Sequence, residues 1–289
     1  MLNAYRKWSG DAQGALWLVV SAVFFTGMTF LIKALRSYPA PMQACVSQVA
    51  SLCVMIPVLV RTRGRALILQ GAWIQFGRSA SAALGVTLAY FAVQKLPLSD
   101  ANALSFTRAL WMVPLAALVL RDHVARGTWI ALAVGFLGAM LVIRPSGATD
   151  IGWAHMAGLG SAFLLALSVT GIKLLTRQNS LATIMTWSSI LGVVMMVPFA
   201  IGAWRWPTPQ DSALLALLGL LSVLTTASYI HGMSLGAAAT LAPVDYVRLP
   251  MAIAVGFLLF GEIPGLWSLI GAALIVATTL WLAIRPSSK

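Results

Sequence analysis

The chain writes one pattern twice at an offset of 140 residues, and each copy holds five hydrophobic spans. Ser21-Ala22 and Ile32-Lys33 recur as Ser161-Ala162 and Ile172-Lys173, and Phe106-Thr107-Arg108 recurs as Tyr246-Val247-Arg248. Asp122 answers to Glu262 at the same offset, while Pro57 matches Pro198 and Arg144-Pro145 matches Arg285-Pro286 one residue later. Because five is odd, a chain that crosses a bilayer five times and then repeats must insert its second copy upside down. Inverted repeats of this kind are characteristic of secondary transporters.

The spans read as 14–35, 40–60, 74–95, 98–120, 125–144, 152–174, 181–203, 211–233, 239–260 and 264–284. Each is near the ~20 residues a helix needs to cross ~30 Å of hydrocarbon. With 60% hydrophobic and 9% charged residues, and a mean hydropathy of +0.90, the chain could not solvate its surface as a soluble domain. The spans are continuous rather than alternating with period two, which excludes a β-barrel. The fold class is therefore an all-α membrane protein of ten transmembrane helices, divided into repeats at 14–144 and 152–284. Arg6, Lys7 and the apolar run after them resemble a secretory signal, but no small-x-small cleavage site follows, so the run is kept as the first helix.

Lys and Arg are concentrated at Arg6, Lys7, Arg61, Arg63, Arg65, Arg121, Arg126, Lys173, Arg177, Arg285 and Lys289, on the side that holds both termini. The opposite side carries Lys33, Arg36, Lys95, Arg144 and Arg205. The positive-inside bias puts both termini in the cytoplasm of a bacterium, with the chain in the inner membrane. The net charge of +12 then belongs mostly to loops that face anionic headgroups, and nucleic acid is not an expected partner. Cys45 and Cys53 lie eight residues apart on one helix, about 12 Å along its axis, beyond the ~7 Å limit of a disulfide, and read as packing residues.

No phosphate-binding loop, His-Glu-x-x-His, paired-Cys motif or aspartate-rich motif is present, and the short loops leave no room for a soluble catalytic domain. No enzyme activity, cofactor or metal is expected. The expected partners are a small-molecule substrate and the lipid bilayer, and because one chain holds both repeats a monomer can be complete in principle.

Two tandem five-helix units resemble the paired EamA domains of the drug/metabolite transporter superfamily. The first half carries the likeness in Leu88-Ala89-Tyr90-Phe91, Lys95-Leu96-Pro97 and Asp122, and the second in Ser228-Tyr229-Ile230, Met233-Ser234-Leu235-Gly236 and Phe260-Gly261-Glu262. Asp122 departs from the family's usual Glu, and Pro114 lies later in its span than Pro250 in its own. The resemblance implies a bacterial exporter of amino acids, aromatic ones included, or of similar small metabolites, working by alternating access around a cavity lined by spans 1, 3, 4, 6, 8 and 9. It also admits nucleotide-sugar and phosphate-sugar antiporters. From another class, a membrane-embedded lipid-modifying enzyme is disfavoured because acidic and nucleophilic residues do not cluster near one face. A passive channel would show flux too fast for a carrier.

Candidate site residues follow from depth. Arg108 and Arg248 sit about ten residues into equivalent spans, where an uncompensated charge costs at least ~2.5 kcal/mol, so a cavity and a substrate carboxylate or phosphate are expected beside them. The alternatives are neutralisation of Arg248 by Asp245, three residues earlier, and snorkelling of Arg108. Tyr90, Trp111, Trp187, Tyr229 and Tyr246 are deep enough to line a pocket, with core packing as the alternative. His231 and Asp245 are candidates for proton coupling, although His231 near a span end also fits a simple interhelical hydrogen bond. Arg78 reads as an anchor at the cytoplasmic end. Pro57 and Pro198, at matching positions, are candidate hinges. Small residues at four-residue spacing, Ser81, Gly85 and Ala89, and Gly158, Ala162, Ala166 and Thr170, read as helix-packing faces.

Overall fold

The computed structural model describes residues 10–61, 64, 67–119, 126–143, 149–176, 178–235, 244 and 247–284. The described residues form ten long helices: α1 (Gly10–Ala34), α2 (Ala40–Arg61), α3 (Ala72–Lys95), α4 (Leu98–Val119), α5 (Arg126–Ile143), α6 (Thr149–Leu175), α7 (Leu181–Gly202), α8 (Pro209–Leu235), α9 (Arg248–Phe260) and α10 (Leu266–Ile284). They follow the ten spans, with the described part of α9 beginning at Arg248. Among the described residues, six helices are long and apolar enough to cross a membrane by length and composition.

The helix ends are written locally. Ser180 caps α7 by accepting the amide of Thr183 at 3.2 Å. Gln43, fully buried in α2, donates to the carbonyls of Leu35 at 2.7 Å and of Ile32 and Tyr38 at 3.3 Å, so it serves carbonyls that the end of α1 leaves open. Gly261 ends α9 at φ 64°; its amide bonds the carbonyl of Phe257 at 3.2 Å and that of Glu262 bonds Gly256 at 2.9 Å. The bond from Gly261 to Phe257 is that of an αL cap, which needs the left-handed conformation that glycine adopts freely.

Packing respects the repeat. α3 packs on α6 as α1 packs on α8, α4 meets α6 as α9 meets α1, and α2 on α7 and α5 on α10 are pairs of equivalent helices. Small residues set the approach. A Cβ on Gly138 would lie 2.8 Å from the carbonyl oxygen of Gly271, one on Gly85 would lie 3.1 Å from Leu165, and one on Gly158 would lie 3.0 Å from Leu104. Small-residue contacts of this kind let helix backbones close on each other where lipid supplies no hydrophobic drive. Large apolar side chains such as Val60, Leu118, Phe199 and Leu258 are exposed outward, the surface a bilayer requires. Cys45 is buried as expected, whereas Cys53 is exposed, so only the first is a packing residue.

Arg78 is not an end anchor. It lies in the second turn of α3, 7% exposed, and its guanidinium donates to Ser188 on α7 and, at 3.3 Å, to Ser168 on α6. Gln75, one turn earlier and also buried, donates to the same Ser188 hydroxyl at 3.2 Å. The bare Cα of Gly171 leaves the volume the arginine stem occupies, since a Cβ there would lie 2.9 Å from its Cγ. Hydroxyls from two other helices let the span hold Arg78 inside it.

Candidate functional site

A cavity of about 600 Å³ lies between the repeats. α1, α3, α4, α6, α8 and α9 all contribute to its wall, through residues that include Phe25, Tyr90, Phe106, Ser161, Tyr229 and Arg248. Along α4 it extends from Ala101 to Val113, about 18 Å of helix rise.

Tyr90, Arg108, Tyr229 and Arg248 all reach the cavity. Tyr90 is buried, and its hydroxyl is 2.8 Å from Ser47 Oγ and 3.9 Å from Met28 Sδ, so the phenol is anchored and its ring forms wall. Arg248 donates to Ser21 Oγ at 3.1 Å and places its Cζ 4.7 Å from the ring centroid of Phe25 and 5.3 Å from that of Tyr229. Cation–π contacts of this kind compensate a guanidinium that lipid would otherwise exclude. Arg108 is different. It is half-buried, it lines the cavity, and it makes no hydrogen bond or ion pair with a described residue.

The cavity wall therefore combines aromatic faces from Phe25, Tyr90, Phe106 and Tyr229 with two cations, and among the described lining residues there is no carboxylate. Asn102, Ser105 and Ser161 add polar atoms. Most of these polar groups also serve their own helices: Asn102 Nδ2 donates to the carbonyl of Leu98 at 2.8 Å, Ser105 Oγ to that of Asn102 at 2.7 Å and Ser161 Oγ to that of Gly158 at 2.6 Å. Such a wall offers charge at two places and a polarisable apolar surface elsewhere.

The other predicted residues lie elsewhere. Trp111 packs edge-on against Phe136 at 4.6 Å and Phe163 at 5.1 Å and does not line the cavity. Trp187 donates its Nε1 to the carbonyl of Leu67 at 3.2 Å, which holds the α2–α3 link rather than a ligand. His231 is exposed, stands edge-to-face on Trp17 at 4.8 Å and also lies off the cavity. Asp245 and Tyr246 lie outside the described residues. Pro57 and Pro198 are inside α2 and α7, each close to the helix end and exposed. Among the described residues no group of His, Cys, Asp and Glu is placed to hold a metal.

Sequence reasoning missed Phe25 and Phe106, which read as ordinary apolar positions. It also missed a pairing at one end of the cavity, where Lys33 at the end of α1 forms an ion pair with Glu262 in the α9–α10 link. Both residues are repeat markers, and both are charged at span ends; nothing in their spacing shows that they meet.

The profile of the EamA-like transporter family matches residues 12–144 and again 152–284. The chain belongs to that family: it is a multi-pass membrane protein and a secondary transporter of small metabolites. A riboflavin transporter of Rhizobium johnstonii is 29% identical over 93% of this chain and 90% of its own. The pseudopaline exporter CntI of Pseudomonas aeruginosa is 24% identical over 94% of this chain and 96% of its own. A solved crystal structure that is 13% identical, with a TM-score of 0.63 over 93% of this chain and 95% of that one, shares the fold.

Proposed function

We propose that the chain carries small metabolites with an aromatic or apolar body and a carboxylate-like anionic group across the bacterial inner membrane by alternating access, with both termini in the cytoplasm. Aromatic amino acids belong to this class. The observation that carries the reading is Arg108, a cation facing an apolar cavity without a partner among the described residues. A guanidinium in such surroundings gains most from a ligand that brings the missing acceptor. Arg248, tied to Ser21 and flanked by Phe25 and Tyr229, supplies a second pole and an aromatic clamp.

A second reading rests on size and likeness. A cavity of about 600 Å³ falls in the range of sites for drug-sized ligands, larger than one amino acid fills. The riboflavin transporter of Rhizobium johnstonii matches almost the whole chain. A flavin ring would stack on the same aromatic wall and offer carbonyl oxygens to the same arginines.

Exchange in proteoliposomes decides between them. Purified protein is preloaded with tryptophan, phenylalanine, riboflavin or a sugar phosphate and challenged with each in labelled form. Exchange of the aromatic amino acids, lost in Arg108→Gln, supports the first reading. Exchange of riboflavin alone supports the second, and exchange of the sugar phosphate alone returns the protein to the antiporter alternative. No exchange of any of them overturns the proposed substrate class.

A further inference from the structure

The inverted repeat carries a second copy of the dock that holds Arg248, and the structure leaves that copy unused. Arg248 donates to Ser21 on α1 at 3.1 Å, and Ser21 donates to the carbonyl of Thr225 on α8 at 2.9 Å. At the repeat offset of 140 these three residues correspond to Arg108 on α4, Ser161 on α6 and Gly85 on α3. The offset holds in space as well as in sequence. A Cβ on Gly158 of α6 would lie 3.6 Å from Ala92 of α3, and at the counterpart positions a Cβ on Gly232 of α8 would lie 3.2 Å from the amide of Leu18 on α1. Arg108 and Ser161 both line the cavity, and a Cβ on Gly85 would lie 3.1 Å from Leu165 of α6, so α3 is held close to the helix that carries Ser161.

What differs between the two docks is the hydrogen bonding. Ser161 donates to the carbonyl of Gly158 at 2.6 Å, three residues back in its own helix, and Arg108 has no bond to a described residue. The counterpart of Gly158 is Leu18, so Ser21 has the same fallback three residues before it. A serine hydroxyl in a helix turns readily between an acceptor in its own last turn and one on a neighbour. Each serine is buried, at 0% exposed for Ser21 and 3% for Ser161, so its hydrogen must always have one of the two.

We infer that Ser21 and Ser161 are positioning residues for transport, each docking its arginine in one of the two states of the carrier. In the state described, Arg248 is docked and Arg108 is the cation offered to the substrate. In the other state Arg108 donates to Ser161, Ser161 donates to the carbonyl of Gly85, and Ser21 turns back to the carbonyl of Leu18, so that Arg248 leaves its serine and takes over the substrate. Both states make the same kinds of bond, one from arginine to serine, one from that serine to a neighbouring helix and one from the other serine to its own helix. The exchange therefore costs no hydrogen bond, and the acceptor that the substrate brings is passed between arginines related by the pseudo-twofold axis. In one respect the docks are unequal. Phe25 and Tyr229, whose rings face Arg248, have Leu165 and Ala89 at the equivalent positions, so the described state holds its arginine more tightly. The exchange requires the alternating access proposed above but no particular substrate, so its test uses none.

The test places a thiol on the cavity wall with Ala109→Cys, in a protein that carries Cys53→Ser and keeps buried Cys45 as a reporter of folding. A membrane-impermeant thiol reagent is applied to spheroplasts and to inside-out vesicles, and the two rates give the ratio of outward to inward access. Ser21→Ala removes the dock of the described state and should move the ratio one way by about fivefold, the worth of one buried hydrogen bond. Ser161→Ala removes the dock of the other state and should move it about as far the opposite way, and the double variant should return close to the parent. Phe25→Leu, which makes the two docks more alike, should move the ratio in the same direction as Ser21→Ala. Should Cys45 become reactive in Ser21→Ala, Phe25→Leu takes its place in the comparison. Shifts of Ser21→Ala and Ser161→Ala in the same direction, or a ratio that neither moves, overturn the exchange and leave alternating access standing. Reaction from one side alone, in the parent and in every variant, overturns alternating access and the exchange with it.

Discussion

Arg248 donates to Ser21 at 3.1 Å, and Ser21 passes its own hydrogen to the carbonyl of Thr225 at 2.9 Å, so α9, α1 and α8 meet in one chain of bonds. The repeat gives Arg248 and Ser21 the counterparts Arg108 and Ser161 at the same offset. That second bond is not made: Ser161 turns its hydroxyl to Gly158 of its own helix at 2.6 Å, and Arg108 faces the cavity. Equivalent sequence thus holds two different contact states, which is what a two-state carrier built from inverted repeats needs in order to exchange them. The asymmetry predicts unequal costs. Ser21→Ala should lower stability by about 1 kcal/mol, the typical worth of a buried hydrogen bond, and Ser161→Ala by much less. Thermal melts in detergent read the difference; equal shifts would mean the two serines are energetically alike.

Arg108→Gln should leave the melting temperature close to that of the parent, because no bond among the described residues is lost. Its KM for a carboxylate substrate should rise tenfold or more, as the loss of about 1.5–3 kcal/mol from a charge-assisted hydrogen bond implies. A large drop in melting temperature with KM unchanged would make Arg108 a structural residue.

Gly138 faces the Gly271 carbonyl so closely that a Cβ at 138 would lie 2.8 Å from it. Gly138→Ala should therefore push α5 from α10 and cost on the order of 1–3 kcal/mol by overpacking. Gly77 in α3 meets nothing within 4 Å, so Gly77→Ala should be neutral or gain up to about 1 kcal/mol from helix propensity. Paired melts check the contrast, and equal behaviour of the two variants would refute a close α5–α10 crossing.

Pro57 and Pro198 remove one ladder hydrogen bond each near the ends of α2 and α7, and both are exposed. If they are hinges, the double substitution to alanine should slow exchange severalfold with little change in KM, because binding is untouched and the conformational step is not. Unchanged exchange rates would leave the prolines as helix-end features.

Depth and repetition in the sequence singled out Tyr90, Arg108, Tyr229 and Arg248, since a charge or hydroxyl halfway along an apolar span must face something polar, and all four line the cavity. The same argument also singled out Trp111 and Trp187, which lie off the cavity: Trp111 packs against two rings and Trp187 bonds the Leu67 carbonyl. Arg78 was misread because its acceptors come from α6 and α7, 90 and 110 residues away in sequence.

What the sequence by itself determined is the architecture. Ten apolar spans and an odd-numbered repeat leave a helical bundle of two inverted halves, because lipid satisfies no backbone hydrogen bond and hydropathy is a local property. What only the tertiary structure decided is which side chains share a space. Lys33 and Glu262 are 229 residues apart, and their meeting depends on how six helices surround one cavity and where a glycine cap turns the chain. Contacts of that range leave no period in a sequence, so the ion pair became visible only when the helices were packed.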